Sequence, residues 1–148
     1  MFLDRDGVIN EKPEPNEYIR SIGEFRLLPN IADWIRLFNA LEFLVIVITN
    51  QRGVARGLMT EAALASIHSH MLEGLAAKGA RIDDIFYCPH EENSCDCRKP
   101  KPGLVYAARD KWNIDLANSL LLGDSDSDQE LAAACGIHFL RVLDGRLA

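Results

Sequence analysis

The stretch that decides the fold reads Phe-Leu-Asp-Arg-Asp-Gly-Val-Ile-Asn and covers residues 2–10. Its apolar start predicts a short strand that ends at Leu3 or Asp4. Alternate residues of a strand share a face, so the carboxylates of Asp4 and Asp6 should point toward one spot. Two carboxylates at such a short distance raise each other's pKa unless a cation separates them. The pair then suits one carboxylate to nucleophilic attack and the other to acid–base chemistry. A solvated Asp-Gly turn contains the same residues, so this stretch alone leaves both interpretations open.

The remaining chain alternates strand-like and helix-like segments. Apolar runs predict further strands at residues 43–48, 82–87, 119–122 and 137–142, and helical periodicity predicts helices at residues 31–41, 60–75, 104–112 and 129–135. Asn30 and Thr60 are expected to cap the first two helices, and Leu41 to lie on the buried face of the first. This alternation predicts one α/β domain over residues 1–148, a Rossmann-like doubly wound parallel sheet with helices on both faces. Only three residues precede Asp4, so we also expect a few residues to be missing before Met1.

Composition and charge exclude several classes of function. The 148 residues carry a formal net charge of -6, which is not the basic footprint of a nucleic-acid-binding protein. The longest apolar run, residues 43–48, is far shorter than the roughly 20 residues that cross a bilayer. No basic segment precedes an apolar one at the N-terminus. The sequence therefore predicts a cytoplasmic protein with neither a membrane nor a nucleic-acid partner.

Polar clusters follow two more of the predicted strands. Thr49, Asn50 and Gln51 come after the second strand, and Asp124 and Asp128 come after the fourth. Ligands of a doubly wound sheet bind outside the carboxyl ends of its strands, so these clusters should converge with the first carboxylate pair. Hydroxyl, amide and backbone N–H groups can hold phosphate oxygens, and carboxylates are the ligands that Mg²⁺ prefers. Each cluster alone also fits an ordinary turn or a capped helix N-terminus.

The polar loop before the third helix carries a different set of ligands. Four nitrogen and sulfur donors lie within ten residues, at Cys88, His90, Cys95 and Cys97. They are enough for a closed tetrahedral zinc site, and in the cytosol this is favoured over free thiols or a redox pair. Arg98 and Lys99 follow directly and offer the cations that a phosphate needs, although a solvated basic loop has the same residues. A structural zinc at residues 88–97 would position both cations.

Taken in order, these motifs resemble those of the haloacid dehalogenase (HAD) superfamily of phosphatases. The matching residues are Asp4, Asp6, Thr49, Lys99, and Gly123-Asp124 with Asp128. The resemblance implies that Asp4 attacks phosphorus to form an aspartyl-phosphate, while Asp6 protonates the leaving oxygen and then activates water. It also implies that Mg²⁺ is held by Asp4, the main-chain carbonyl of Asp6 and Asp124, with Asp128 in support. Thr49 and Lys99 would bind the phosphoryl group.

The zinc loop narrows the resemblance to two groups that lack a large cap domain. These are the D-glycero-D-manno-heptose 1,7-bisphosphate phosphatases and the histidinol-phosphate phosphatases. Residues 53–57 and 99–103 are similar to the heptose group, whereas the four residues between His90 and Cys95 are nearer the histidinol group. The heptose group is favoured, and its pattern implies that Arg52 and Arg98 face the substrate. A lysine stands in some members where this chain has Ser125.

The resemblance therefore implies a Mg²⁺-dependent phosphatase that acts on a small phosphorylated metabolite. The substrate that the resemblance favours is the heptose bisphosphate, from which the C7 phosphate would be removed. The reaction would belong to carbohydrate metabolism and to the synthesis of lipopolysaccharide precursors. Histidinol phosphate is the alternative substrate, and a catalytically inactive binding protein is the alternative of another class. A monomer is expected. His68 and His70, both on the second predicted helix, are expected to be surface or packing residues.

Overall fold

The chain forms one mixed sheet with helices between its strands. The computed structural model describes residues 1–143 and 146–147. The strands within that part are β1 (Phe2–Leu3), β2 (Ile46–Asn50), β3 (Asp84–Cys88), β4 (Leu120–Gly123), β5 (His138–Leu143) and β6 (Arg146–Leu147). The helices are α1 (Ile31–Ala40), α2 (Glu61–Ala76), α3 (Gly103–Trp112) and α4 (Asp126–Cys135), and a 3₁₀ turn covers Ile22–Glu24.

The strands lie in the order β3-β2-β1-β4-β5-β6. The pairs among β1 to β5 are parallel, and β6 runs antiparallel to β5. Strand β1 lies at the switch point, because Phe2 pairs with Ile46 of β2 on one side and with Leu121 of β4 on the other. The crevice of a doubly wound sheet opens at the carboxyl ends of such strands. The predicted doubly wound sheet is confirmed, and the residues after β1 are at its crevice.

Two buried clusters cover the two faces of the sheet. Alternate residues of β2 separate them, because Val47 belongs to one cluster and Ile46 and Ile48 belong to the other. Helices α1 and α2 pack on the Val47 face through side chains such as Ile35 and Met71. Helices α3 and α4 pack on the opposite face. Both faces of the central strands are therefore dry, as the continuous apolar run at residues 43–48 indicates.

Strands β2 and β3 both begin and end later along the chain than the sequence predicts. Strand β2 begins at Ile46 rather than at residue 43, because the N–H of Val45 donates to the Asp83 carboxylate at 2.8 Å instead of to a strand partner. At its other end β2 continues through Asn50, which pairs with Cys88. Thr49 and Asn50 are thus the last residues of the strand and do not follow it. Strand β3 is displaced in the same direction, to Asp84–Cys88.

The start and the end of α1 also differ from the prediction. Asn30 stands at the N-cap with a left-handed φ of 66°, and its side chain makes no capping hydrogen bond. Leu41 lies beyond the helix and is 59% exposed, because the backbone turns at Glu42 with a φ of 62°. Thr60 does cap α2, since its hydroxyl accepts a hydrogen bond from the N–H of Ala63 at 3.0 Å.

The long segment between β1 and α1 stays close to the sheet. Ile19 and Phe25 from this segment are buried in the α1–α2 core, and Asn10 bridges to Leu27. Within residues 1–143 and 146–147 there is no separate cap domain. In the same part of the chain, no helix has the combination of length and apolar character needed to span a membrane.

Candidate active site and metal centres

Asp4 follows β1 directly and lies against a buried lysine. The Nζ of Lys99 is 2.8 Å from Oδ1 of Asp4 and 2.7 Å from Oδ1 of Asp128, and it also donates to the carbonyl oxygen of Ile48 at 3.1 Å. Burial raises the pKa of Asp4, and the Lys99 charge opposes that rise. The Lys99 side chain is only 2% exposed, and its ammonium is the charge that lowers the pKa of Asp4 against the effect of burial, which still leaves that pKa at about 7.

A third carboxylate completes an oxygen-rich cluster. One carboxylate oxygen from each of Asp4, Asp124 and Asp128 lies within 4.8 Å of the others. Glycines let these side chains approach: a Cβ on Gly7, whose φ is +89°, would lie 2.3 Å from Oδ2 of Asp124. A Cβ on Gly123 would lie 2.3 Å from the Cβ of Asp128. Hard oxygen donors at this spacing fit Mg²⁺, so Asp4 and Asp124 could hold the ion.

Asp128 is fully committed to protein contacts. Its Oδ1 accepts from Lys99, and its Oδ2 accepts from the hydroxyl of Ser125 at 2.6 Å and from the backbone N–H of Ser125 at 3.2 Å. Ser125 and Asp128 thus form the capping box that begins α4. The capped-helix interpretation of this cluster is confirmed, and Asp128 also contacts Lys99. Such an arrangement agrees with a supporting role for Asp128.

Asp6 is held by several hydrogen-bond donors beside the cluster. The Arg5 guanidinium donates hydrogen bonds to both of its carboxylate oxygens, and Asn10 Nδ2 donates to Oδ1 at 2.9 Å. Gln51 Nε2 donates to Oδ2 at 3.1 Å. The side chain of Asp6 is 22% exposed, so it remains within reach of a bound substrate.

The residues at the end of β2 that were predicted to contact phosphate make different contacts from one another. Thr49 is buried and its hydroxyl accepts from Gln51 Nε2 at 2.9 Å, so Gln51 links Thr49 to the Asp6 carboxylate. The Asn50 side chain instead clamps the backbone of Lys99, accepting from its N–H at 3.0 Å and donating to its carbonyl at 3.1 Å. Asn50 therefore places the lysine that pairs with Asp4.

The two predicted arginine contacts both lie near the zinc loop. Arg52 is engaged by Tyr18 Oη at 3.1 Å and by the carboxylates of Glu91 and Glu92. Arg98 is 3.7 Å from Glu92, and its Nη1 has no hydrogen-bond partner within residues 1–143 and 146–147. Arg98 lines an open groove of about 400 Å³ that Asn50, Lys99, Lys101 and Ser127 also line. Of the two arginines, Arg98 has the freer guanidinium.

The four predicted zinc ligands come together in space. Their ligand atoms, in Cys88, His90, Cys95 and Cys97, all lie within 4.8 Å of one another. The Sγ of Cys88 is 3.5 Å from both His90 Nδ1 and Cys95 Sγ, and His90 Nδ1 is 3.2 Å from Cys97 Sγ. Tetrahedral ligands at zinc bond lengths of about 2.0–2.3 Å are separated by roughly this much. The cluster could therefore hold a zinc ion in a closed tetrahedral site.

The zinc cluster is packed onto the segment that carries Lys99. Gly103, the first residue of α3, donates its N–H to the carbonyl of Asp96 at 3.2 Å. A Cβ on Gly103 would lie 2.7 Å from the Cα of Cys97. The loop before Arg98 and Lys99 thus folds back on the helix that follows them. Metal binding at Cys97 would stiffen the same backbone that presents both cations.

Three residues in or near this site were not singled out by the motifs. Arg5 is completely buried and contacts both predicted catalytic aspartates. Lys12, in the segment between β1 and α1, donates to Asp124 Oδ2 at 2.6 Å. His68 of α2 is buried and contacts Arg5, which agrees with a packing residue but adds a polar contact, whereas His70 is exposed. The position of Arg5 between two aspartates was the available signal, and nothing local in the sequence indicated the other two.

Comparisons with known proteins agree with this geometry. Residues 96–148 match the family model described as HAD-hydrolase-like. The fold and this match define a hydrolase of the HAD type. The chain is 42% identical over 144 residues to the D-glycero-beta-D-manno-heptose-1,7-bisphosphate 7-phosphatase of Rhodopseudomonas palustris, covering 92% of this chain and 78% of that relative. It belongs to the heptose bisphosphate phosphatase family of HAD phosphatases, as the sequence motifs predicted.

Two further relatives show how far the similarity extends. The D-glycero-alpha-D-manno-heptose-1,7-bisphosphate 7-phosphatase of Campylobacter jejuni is 39% identical over 130 residues, which are 88% of this chain and 73% of that relative. The crystal structure of the D,D-heptose 1,7-bisphosphate phosphatase of B. bronchiseptica, complexed with magnesium and phosphate, superimposes with a TM-score of 0.90 at 36% identity. That match covers 99% of this chain and 82% of the neighbour. The predicted class, a phosphatase, is therefore confirmed.

Proposed function

We propose that this chain removes the C7 phosphate of D-glycero-D-manno-heptose 1,7-bisphosphate through an aspartyl-phosphate on Asp4. The observation that carries the proposal is the buried contact of Asp4 with Lys99, next to the oxygen cluster that Asp124 completes. Phosphoryl transfer needs an in-line nucleophile and neutralised phosphoryl charge, and Asp4 and Lys99 are the residues that would supply them. The names of the curated relatives support the choice of sugar.

The proposed reaction has two steps, transfer of the phosphoryl group to Asp4 and its hydrolysis. An oxygen of Asp4 attacks phosphorus, the bond from phosphorus to the C7 oxygen breaks, and Asp6 gives its proton to the leaving oxygen. Asp6 then takes a proton from water, the water oxygen attacks phosphorus, and the bond from phosphorus to the Asp4 oxygen breaks, which releases phosphate and restores the Asp4 carboxylate. Mg²⁺ held by Asp4, the main-chain carbonyl of Asp6 and Asp124 would supply positive charge at the phosphoryl oxygens. Thr49 and Lys99 would contact the same oxygens.

Charge around the groove favours a substrate with a second phosphate. Arg98 and Lys101 line the groove beside Asn50, and one guanidinium nitrogen of Arg98 is unpartnered within the described residues. Glu92 is the opposing charge there. An anionic distal group would meet more positive than negative charge, whereas the distal amine of histidinol phosphate would meet repulsion. The heptose bisphosphate is therefore preferred over histidinol phosphate.

The test is phosphate release with Mg²⁺ across a panel of substrates. The panel contains both anomers of heptose 1,7-bisphosphate, histidinol phosphate and simple sugar phosphates. We expect the highest kcat/KM on a heptose bisphosphate. A clear preference for histidinol phosphate would overturn the choice of substrate.

A paired substitution tests the chemistry separately from the substrate. Asp4→Asn should abolish turnover while its thermal unfolding remains cooperative. The matched control is Asp126→Asn, because Asp126 is a nearby carboxylate that is 87% exposed and pairs with Arg141 outside the cluster. The control should keep normal turnover. Normal turnover by Asp4→Asn would contradict the mechanism.

We also propose that residues 1–148 act as a single domain, as a monomer, and in the cytoplasm. The location is supported by the four cysteines, which are free, with three of them arranged as metal ligands rather than as disulfides. Light scattering of the purified protein tests the monomer. Limited proteolysis that released a stable fragment would contradict the single domain.

A further inference from the structure

Arg5 is a buried charge that the proposed mechanism does not use. Its side chain is 0% exposed, although it stands between the two predicted catalytic aspartates. Its Nε and Nη2 donate to Oδ1 of Asp6 at 3.1 and 2.9 Å, and Nη2 also reaches Oδ2 at 3.1 Å. A guanidinium fork of this kind fixes both the position and the plane of a carboxylate. The orientation of Asp6 therefore depends on the orientation of Arg5.

The other side of the Arg5 guanidinium contacts His68, which lies 63 positions away on α2. The Nη1 of Arg5 is 3.3 Å from Nε2 of His68. Arginine has no acceptor, so Nε2 accepts this hydrogen bond and the imidazole is neutral with its proton on Nδ1. Burial, followed by the Arg5 charge, lowers the pKa of His68 to about 4, which agrees with a neutral ring.

The imidazole of His68 is itself held in place. Its ring lies against Tyr87 of β3, with the ring centroids 5.9 Å apart and the planes inclined at 60°. His68 is 7% exposed and lies beside Ile67, which belongs to the core on that face of the sheet. A fixed acceptor at this position leaves the Arg5 guanidinium little freedom to rotate.

We infer that His68 is a positioning residue for the acid–base step, because it holds the Arg5 guanidinium that orients the Asp6 carboxylate. His68 contacts neither the substrate nor the reacting atoms. The inference rests on the proposed function only in taking Asp6 as the group that protonates the leaving oxygen. Loss of the acceptor would leave a buried N–H of Arg5 unpaired and let the fork turn, and small misplacements of catalytic groups are costly.

The test compares two kinds of leaving group in the same enzyme. A sugar phosphate leaves as an alkoxide and needs the proton from Asp6, whereas p-nitrophenyl phosphate leaves as a stable phenolate and does not. The value of kcat/KM reports the steps up to the first irreversible one, which includes departure of the leaving group. The ratio of kcat/KM on the two substrates therefore isolates the acid function. A purely structural effect of a substitution would lower both values together.

The variants remove, keep or avoid the acceptor. His68→Leu removes it, and His68→Met leaves only a weakly accepting thioether and adapts to irregular cavities if the Leu variant does not fold. His68→Gln keeps a carbonyl oxygen that can accept from Nη1. His70→Gln is the matched control, because His70 is exposed on the same helix and contacts the Phe25 ring edge to face instead of the site. All are measured with Mg²⁺ and zinc present, beside thermal unfolding.

For the two apolar variants we expect the value on the sugar phosphate to fall about 10- to 100-fold, with less than about a 3-fold fall on p-nitrophenyl phosphate. His68→Gln should stay within about 3-fold of wild type on both substrates, and His70→Gln should match wild type. Equal losses on both substrates, no loss at all, or a Gln variant as poor as the apolar ones would overturn the inference. The sugar phosphate is whichever one the wild type hydrolyses best, so a wrong assignment of the heptose would be visible in the wild type and would leave this comparison intact.

Discussion

Lys99→Met should strongly destabilise the protein, because it removes the one cation between two buried carboxylates. The Lys99 Nζ is within 2.8 Å of Asp4 and 2.7 Å of Asp128, and Asp128 is 0% exposed. Removing one partner of a buried ion pair costs about 3–5 kcal/mol, because the remaining charge is left unpaired. We therefore expect the free energy of unfolding to fall by about that amount at pH 7, together with loss of turnover.

Urea unfolding of the zinc-loaded protein, without added Mg²⁺, measures this loss. Lys101→Met is the matched control: Lys101 is two residues away and its side chain is 45% exposed, with Asp96 3.8 Å away and an exposed hydrogen bond to the carbonyl of Cys95 at 2.6 Å. The control should lose less than about 1 kcal/mol. Added Mg²⁺ should restore part of the loss in Lys99→Met, because the ion would again separate the carboxylates.

The pH dependence of the same variant gives an internal check. The pKa of Asp4 is already raised to about 7 in the wild type, and without Lys99 it should rise further, so the folded variant binds more protons than the folded wild type above about pH 7. The difference in the free energy of unfolding between variant and wild type should therefore grow as the pH rises above 7 and stay nearly constant between about pH 5 and 7. A Lys99→Met variant within about 1 kcal/mol of wild type at pH 7 would refute the reasoning.

Three further predictions concern zinc, acid stability and the metal site. Cys95→Ala should lose bound zinc and most turnover, while Cys135→Ala, outside the cluster, keeps both; full zinc content by mass spectrometry with normal turnover in Cys95→Ala would refute the structural role. The pKa of His68 is about 4 in the folded protein against 6.5 in the unfolded chain. The stability that comes from keeping this imidazole neutral is therefore complete above pH 6.5 and is lost as the pH falls toward 4, which lowers the free energy of unfolding by about 3 kcal/mol. In His68→Gln, the free energy of unfolding measured with denaturant should fall by correspondingly less over that pH range. Gly7→Ala would place a Cβ 2.3 Å from Asp124 Oδ2, so calorimetry should show Mg²⁺ affinity reduced at least about 10-fold, and unchanged affinity would contradict the packing.

Local patterns predicted most of the fold but not its exact limits. Helix α2 was recognised because Thr60 caps it and its apolar residues recur with helical spacing, and both signals lie within a few neighbouring residues. The start of β2 was not recognised, because the N–H of Val45 is taken by the side chain of Asp83, which lies 38 positions further along the chain. Leu41 was placed on the wrong surface because the helix ends one residue earlier, before the left-handed turn at Glu42.

The candidate site was predictable in its members more than in its contacts. The motif aspartates were predicted because they follow strands of a parallel sheet, and such strands share one functional edge. Lys99 was predicted as a cation directly after the zinc-loop cysteines. Their pairing was not predictable, since Asn50 was expected at the phosphate and instead clamps the Lys99 backbone. Arg52 was expected to face the substrate, and the structure shows it engaged by Tyr18 and two glutamates of the zinc loop.

The amino-acid sequence by itself determined the doubly wound sheet, the edge at which the polar clusters meet, and the four ligands of the zinc loop. These follow from periodicity and from residue spacing, which are local properties of a chain. Tertiary structure alone decided which charges are buried together, such as Lys99 with Asp128, and which distant side chain orients Asp6 through Arg5. The physical reason is that burial and hydrogen-bond partners depend on how helices pack across the sheet, and residues 63 positions apart carry no mutual pattern in the sequence.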